Sequence, residues 1–330
     1  MIPEQQTASQ PIDFTPANNT VEHPLVFMGG IGYDEQRNRE VGSAIVGLIG
    51  HRDIITISDS PRSESLGDDT VVHRHEDGLE YDLPGKLAIK LLDEDVTVRF
   101  SRLHERRARE LIDAIERTGE GPVDAVFQSV DVSTGILAMH ERPDLFKKVV
   151  LLDPSSVVKL PARLRYLKEE WQSRNLFKLL KRKKDLSEVT RFESKVGPLE
   201  SYRRMKRSNS NGNKEASYVS SQAPLLHDVA QSENAPIVSI MTSLFDHAYT
   251  PERLLQALVS LDDISGFFVT NSRHGLGGKQ EKLEQLASVL KGLENNDMVS
   301  TFMDKIHFFK GVSDEYRQKI LEILKTRGEK

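Results

Sequence analysis

Short apolar runs recur along the chain, separated by stretches with the three- to four-residue periodicity of amphipathic helices. Several runs are continuous and rich in β-branched residues, which is typical of strands buried on both faces of a parallel sheet. This order predicts an α/β protein with a mostly parallel central sheet and helices on both faces. The predicted strands are Leu25 to Met28, Ile54 to Ser58, Val123 to Phe127, Val149 to Leu152, Ile237 to Thr242 and Gly266 to Thr270, and helical patterns cover Leu103 to Arg117 and Gln280 to Leu293.

Two stretches interrupt this alternation of predicted strands and helices. Thr70 to Phe100 contains alternating segments around Asp93 to Asp95, and its pattern allows either an inserted hairpin or a helix. Residues 155–234 are helix-forming and strongly charged, and they separate the fourth predicted strand from the fifth. A stretch of this length is too long for an ordinary connection, so we expect a helical lid inserted into the core.

The two ends of the chain complete the predicted organisation. Met1 to Thr20 is polar and lacks the basic start and apolar stretch of a secretory signal, so we expect residues 1–24 to form a mobile tail. Met298 to Lys325 has the pattern of two further amphipathic helices, and residues 297–330 are therefore predicted to be a helical extension. The predicted core consists of residues 25–154 and 235–296.

Composition narrows the possible functions only modestly. The 330 residues carry a formal net charge of −5, which gives no reason to expect nucleic acid or an anionic membrane as a partner. The basic run Lys178 to Lys184 is typical of a solvated helix face, and the alternative of an anion-binding segment stays open. Cysteine is absent, which excludes disulfides, thiolate metal ligands and a cysteine nucleophile. No run approaches the ~20 apolar residues that a membrane span needs, and we expect a cytoplasmic protein.

The segment Val123 to Ser156 carries the most specific motif. An apolar strand ends near Ser129, an apolar helix follows, and Pro143 precedes the next apolar run. This succession resembles the strand, nucleophile turn, helix and strand of α/β-hydrolases. The resemblance implies that Ser129 is the nucleophile and that the N–H of Val130 contributes to an oxyanion hole.

Two later segments resemble the parts of the same fold that carry the acid and the base. Asp246 stands just beyond a predicted strand in Pro236 to Leu254, and His274 follows the last predicted strand in Gly266 to Gly278. The order serine, aspartate, histidine along the chain is the order that α/β-hydrolases use. The resemblance therefore implies a triad in which Asp246 orients His274 and His274 accepts the serine proton.

The segment Pro24 to Asp34 resembles the first strand of these enzymes and the turn that follows it. Gly29 stands where the family usually has histidine, and Gly30 comes next. The resemblance implies that the second oxyanion donor comes from this turn. We expect this donor to be the N–H of Ile31, with Gly30 shaping the backbone.

The nucleophile turn departs from the family pattern G-x-S-x-G. Phe127 and Asp131 occupy the two positions where the family has small residues, because the turn is crowded. Asp131 is itself flanked by Ser129 and Ser133, so an alternative is that Asp131 attacks, as an aspartate does in dehalogenases and epoxide hydrolases of this fold. The spacing of strand and helix favours Ser129. Another alternative is a non-catalytic member that uses the fold for binding or signalling.

The leading interpretation is thus a hydrolase that cleaves an ester or a related acyl bond of a small molecule. No phosphate-binding or dinucleotide-binding motif is present, and no cofactor is expected. His73, His75, Asp77 and Glu80 have metal-ligating side chains, but their spacing matches no metal motif well, so no metal is expected either. Whether the chain forms a homodimer is left open.

Overall fold

The computed structural model describes the parts of the chain that form a central sheet and the helices around it. The described residues are 23–30, 35–50, 53–55, 73–75, 78–80, 85–91, 94–100, 102–158, 221–246, 249–276, 280–292 and 305–328. Most of the lid predicted for residues 155–234, including Lys178 to Lys184, lies outside the described residues, and so does most of the tail predicted for residues 1–24.

The described elements alternate along the chain in the way that the sequence predicts. The strands are β1 (Leu25–Met28), β2 (Ile54–Ile55), β3 (His73–His75), β4 (Gly78–Glu80), β5 (Gly85–Leu91), β6 (Glu94–Phe100), β7 (Val123–Gln128), β8 (Phe146–Leu152), β9 (Ile237–Ser243), β10 (Gly266–Thr270) and β11 (Ile306–Phe308). The helices are α1 (Glu35–Ile49), α2 (Arg102–Thr118), α3 (Val132–Glu141), α4 (Ala223–Ala230), α5 (Pro251–Ala257), α6 (Gln280–Gly292) and α7 (Asp314–Gly328). The start of β8 was missed because Lys147 and Lys148 interrupt its apolar run.

A seven-stranded sheet has the order β2, β1, β7, β8, β9, β10, β11. Every neighbouring pair in it is parallel, which confirms the predicted sheet. From β1 the chain moves to β2 on one side and later returns to β7 on the other side of β1. In open parallel sheets such a reversal opens a crevice at the carboxyl ends of the two strands, where ligands bind. Gly29 follows β1 and Ser129 follows β7, so both stand at this crevice.

Two apolar clusters lie on opposite faces of the sheet, as the alternation of side chains along each strand requires. One cluster joins Leu25 and Phe27 of β1 to residues of α1 and α6. The other joins Val26 and Met28 to residues of α2, α3, α4, α5 and α7. The predicted helices on both faces are therefore confirmed. Among the described residues, no helix combines the length and the apolar character needed to cross a bilayer.

The stretch from Thr70 to Phe100 forms hairpins in its described residues, so the helical alternative is wrong there. β5 and β6 pair antiparallel, as do β3 and β4. Ile89 and Val98 are buried on one face of the β5–β6 hairpin. This two-residue alternation is what a half-buried strand requires, and a helix would scatter these positions around its axis. The hairpin contacts α4.

The prediction of two helices between Met298 and Lys325 is wrong in its first described part. β11 adds a parallel edge strand beside β10, and only then does α7 begin at Asp314. Ile306 and Phe308 are buried in the core. A run this short cannot be assigned to strand or helix from its periodicity, and pairing with β10 decides the outcome.

The described residues on either side of residues 159–220 lie next to each other. The Gln222 N–H donates to the Ser156 carbonyl at 3.1 Å, and the Ser221 hydroxyl donates to the Val157 carbonyl. α4, which was predicted to be part of the lid, packs against α3 and contributes fully buried side chains such as Leu225 to the core. The predicted boundary of the insertion at residue 234 is therefore too late.

Candidate active site

Ser129 stands at a sharp turn between β7 and α3. Its backbone φ is 57°, in the left-handed region that residues other than glycine rarely adopt. A 3₁₀ turn over Ser129–Asp131 leads directly into α3. A strained serine between a strand and a helix is the geometry of the nucleophile elbow, in which the turn lifts the hydroxyl above the sheet.

Three side chains from distant parts of the chain meet beside this turn. His274 Nε2 lies 2.9 Å from Ser129 Oγ. His274 Nδ1 lies 2.5 Å from Asp246 Oδ2. The Asp246 side chain is buried, whereas that of His274 is 37% exposed. The structure thus brings together all three residues that the sequence singled out as nucleophile, base and acid.

Asp246 is held by the turn that follows β9. The Asp246 N–H donates to the Ser243 carbonyl at 3.1 Å. The Tyr249 N–H donates to Asp246 Oδ1 at 3.1 Å, so one carboxylate oxygen binds the backbone and the other faces the imidazole. The N-cap of α5 is Thr250, whose hydroxyl accepts from the Arg253 N–H. Thr250, and not Asp246, therefore caps the N-terminus of α5.

Gly30 faces Ser129 across the crevice. A Cβ at position 30 would lie 2.7 Å from Ser129 Cβ and 3.2 Å from Ser129 Oγ. Only glycine fits at this distance. The neighbouring Gly29 N–H donates to Asn38 Oδ1 of α1 at 2.8 Å, which fixes the backbone just before Gly30.

One of the two predicted oxyanion donors, Val130, directly follows Ser129 in the chain. Val130 lies in the turn that leads into α3, and the first amides of a helical segment have no partner within the helix. The positive end of the helix dipole also lies there. Ile31 lies outside the described residues, so its N–H as the second donor stays a prediction.

Phe127 occupies the first position at which the family pattern has a small residue. Its side chain is fully buried and makes an edge contact with Phe146, with ring centroids 6.2 Å apart. Gly135 of α3 provides the space, because a Cβ at position 135 would lie 2.3 Å from a ring carbon of Phe127. The missing side chain at Gly135 therefore compensates for the large one at Phe127.

Asp131, the second departure from the family pattern, is fully buried. Its Oδ1 accepts from the Thr134 hydroxyl at 3.3 Å and lies 3.8 Å from Nε of Arg107, whose side chain is also buried. A nucleophile must be accessible to the substrate and within reach of a base. The geometry therefore does not support Asp131 as the alternative nucleophile, since it is Ser129 that contacts His274.

A buried polar cluster beneath the His274 loop was missed from the sequence. Asp153 follows β8, and its Oδ2 lies 2.7 Å from Nζ of Lys282 on α6, with both side chains buried. The available signal was the position of Lys282, which shares one face of α6 with Leu286 and Val289. A lysine on the apolar stripe of a helix needs a buried partner.

One group of described residues has metal-ligating atoms close together. Asp153, Asp246 and His274 each offer a ligand atom within 4.8 Å of the others. These groups are engaged in hydrogen bonds with Lys282, Ser129 and one another. The Lys282 ammonium supplies the counter-charge to Asp153 that a metal ion would otherwise provide. The arrangement is therefore typical of a hydrogen-bonding network rather than of a metal site.

Comparison with known proteins finds similarity to solved structures. No protein-family model matches the chain, and no curated protein matches it. The chain is similar to a serine hydrolase from Cycloclasticus zankles (12% identity, 84% of this chain and 92% of that chain covered, TM-score 0.47). It is also similar to an esterase from Exiguobacterium antarcticum (11%, 82% and 91%, 0.43) and to the enol-lactonase from Burkholderia xenovorans LB400 (12%, 84% and 94%, 0.42).

Identities and TM-scores at this level do not decide an activity or a substrate. The strand order and the backbone at Ser129 are the stronger observations. In the parallel sheet, β2 lies on one side of β1 and β7 on the other. The strained turn at Ser129 stands at the carboxyl end of β7, where this change of direction opens a crevice. Because the aspartate and the histidine then follow later strands in the order that this architecture uses, the chain has the α/β-hydrolase fold.

Proposed function

We propose that this chain is a hydrolase that cleaves an ester or a related acyl bond through Ser129, His274 and Asp246. The observation that carries the proposal is the pair of hydrogen bonds on His274, 2.9 Å to Ser129 and 2.5 Å to Asp246. A nucleophile within hydrogen-bond reach of a base, which a third group orients, is the geometric signature of nucleophilic catalysis.

His274 acts as the general base. Asp246 accepts a hydrogen bond from the Nδ1–H group, so the lone pair of Nε2 faces the Ser129 hydroxyl. As Ser129 Oγ attacks the acyl carbon, its proton moves to Nε2, and Asp246 stabilises the imidazolium that forms. The same proton then passes to the leaving group as its bond to carbon breaks. Water, deprotonated by His274, hydrolyses the acyl-serine and restores the hydroxyl.

The acyl oxygen gains negative charge when Ser129 attacks. In this mechanism the Val130 N–H donates to it, and the dipole of α3 adds to the stabilisation. The Asp131 carboxylate, at the start of the same helix, would repel the negative charge on the acyl oxygen. The buried guanidinium of Arg107 compensates the carboxylate charge, which makes an acidic residue at this position compatible with an oxyanion nearby.

One exposed apolar side chain, next to Asp246 in the chain, supports a substrate with an apolar acyl or leaving group. Phe245 directly precedes Asp246, and it is the exposed large hydrophobic residue among those described, at 50% exposure. Pockets for small molecules combine apolar walls with a few placed polar groups. We therefore infer that Phe245 contacts the acyl or the leaving group.

Turnover of short p-nitrophenyl esters and labelling by a fluorophosphonate test the proposal. Ser129→Ala should abolish labelling and lower kcat by about 10⁴- to 10⁶-fold, because the residual rate comes only from binding and the oxyanion hole. Ser288→Ala, which removes a half-buried hydroxyl of α6 that donates to the Glu284 carbonyl, is the matched control and should behave like the wild type. Equal rates for wild type and Ser129→Ala would remove Ser129 from the mechanism.

The two alternatives make different predictions. In ¹⁸O-labelled water, a serine mechanism places the label in the product acid, whereas attack by Asp131 places it in the Asp131 carboxylate. A wild-type protein that neither turns over any ester nor reacts with the fluorophosphonate would support the non-catalytic alternative.

A further inference from the structure

The backbone on both sides of His274 is anchored by one buried side chain. Nζ of Lys282 donates to the Arg273 carbonyl at 3.1 Å and to the Gly275 carbonyl at 2.8 Å. Arg273 and Gly275 are the two neighbours of His274 in the chain. The ammonium therefore holds the segment that presents the imidazole, although it does not contact the ring itself in these bonds.

The anchor is charged, and its counter-charge holds the same segment. Asp153 Oδ2 accepts from Lys282 Nζ at 2.7 Å and from the Gly275 N–H at 2.6 Å. The Ser243 hydroxyl, at the end of β9, accepts from Lys282 at 2.6 Å and lies 2.7 Å from Asp153 Oδ1. The cluster thus connects the ends of β8 and β9, the start of α6 and the His274 segment.

The backbone of this segment also fits closely against the nucleophile strand. Gly275 has a φ of 75°, and a Cβ there would lie 2.8 Å from Nε2 of Gln128, the residue before Ser129. The segment is therefore seated against the strand end that carries the serine. His274 is itself 37% exposed, so burial of the ring does not fix its position.

A buried ion pair is weak support for stability, because desolvation of the two charges offsets most of their attraction. Lys282 and Asp153 are 2% and 0% exposed, so both charges are fully desolvated. An apolar pair would fill the same space but could not bind the carbonyls of Arg273 and Gly275. The bonds to these carbonyls are what the lysine adds to the structure.

We propose that Lys282 is a positioning residue, which through Asp153 and the Arg273 and Gly275 backbone holds His274 between Ser129 and Asp246. The catalytic consequence of this inference rests on the proposed function. The expected effect of Lys282 on the hydrogen bond between His274 and Asp246 does not depend on the proposed function.

The test compares Lys282→Met with the double variant Asp153→Asn/Lys282→Met. The single variant leaves the Asp153 charge buried without its ammonium, and it should lose both stability and kcat. The double variant removes both charges, so it should regain much of the stability. Its kcat should stay about 10²-fold below that of the wild type with little change in KM, the loss expected when a catalytic group is displaced by about 1 Å.

Lys305→Met is the matched control. Lys305 also donates to a carboxylate and to a backbone carbonyl, those of Asp262 and Leu261, but Asp262 is largely exposed and neither contacts the triad in these bonds. This variant should keep the wild-type kcat. If kcat recovers together with stability in the double variant, the role of Lys282 is confined to the fold and the proposal is overturned. A double variant that does not fold would overturn it as well.

A proton resonance separates this inference from the proposed function. The proton between His274 Nδ1 and Asp246 should appear far downfield, and its loss in His274→Ala assigns it. The resonance should shift or broaden in the double variant and stay unchanged in Lys305→Met. If the wild type shows this resonance but no hydrolysis, the proposed function fails while the positioning role stands. If the wild type is active and the double variant keeps both resonance and kcat, only the positioning role fails.

Discussion

The turn at Ser129 and the segment around His274 meet at one hydrogen bond, but they are stabilised by different contacts. The turn is shaped by packing close in the sequence, in which Gly135 makes room for Phe127. The His274 segment is held by a buried polar cluster whose members, such as Asp153 and Lys282, are 129 positions apart. The nucleophile is thus placed by local geometry, and the base by charged groups that are distant in the chain.

The same difference separates the two buried ion pairs of the site. Arg107 and Asp131 lie 3.8 Å apart under the turn, and Asp131 also accepts from the Thr134 hydroxyl at the start of α3. Lys282 and Asp153 lie 2.7 Å apart under the His274 segment. The first pair compensates a charge near the helix start, and the second anchors backbone groups beside the base.

The largest effect on stability is expected from breaking the second pair. Lys282→Met should lower the free energy of unfolding by about 3–5 kcal/mol, because it leaves the Asp153 carboxylate buried without its counter-charge. Urea denaturation measures the change. Lys305→Met, which breaks an ion pair with the exposed Asp262, should lower it by about 0–1 kcal/mol. Similar losses in the two variants would contradict a special role for the buried pair.

A smaller effect is expected at the turn. Gly135→Ala should lower the free energy of unfolding by about 1–3 kcal/mol, because the new methyl group overlaps the Phe127 ring. Gly47→Ala in α1 is the control, since a Cβ there meets nothing within 4 Å and alanine favours the helix by about 1 kcal/mol. Thermal unfolding of both variants compares them. A stabilised Gly135→Ala would show that Phe127 does not depend on the glycine.

The smallest effect on turnover is expected from Asp131→Asn. The side chain keeps its shape and can still accept from the Thr134 hydroxyl, but the buried Arg107 guanidinium 3.8 Å away loses its counter-charge, so the free energy of unfolding should fall by about 1–3 kcal/mol. Ester turnover should stay close to the wild-type rate, because Asp131 does not attack the substrate in the proposed mechanism. A loss of turnover as large as that of Ser129→Ala would mean that the turn works through Asp131 instead.

The sequence predicted what local pattern and chain order encode. Continuous apolar runs gave the strands of the parallel sheet, and the position of Ser129 between strand and helix gave the turn. Asp246 and His274 were predicted from the resemblance of the segments after two later strands to those of α/β-hydrolases. The three-residue strand β11 was missed because its identity depends on pairing with β10 rather than on its own periodicity.

The supporting contacts could not be predicted in the same way. Gly135 leaves space for the Phe127 side chain only because that face of α3 packs against the ring. That Lys282 reaches Asp153 depends on how α6 lies across the end of β8. Such contacts join residues whose separation in the chain carries no pattern, and only the folded backbone brings them together.

The hydrogen bonds of Ser221 and Gln222 to the Val157 and Ser156 carbonyls have one more consequence. They bring Ser156 and Gln222 together three residues beyond Asp153, which follows β8. Because these two points of the described chain are adjacent, the number of residues between them can change at little cost to the sheet. The length of this connection and the integrity of the sheet can therefore change independently of each other.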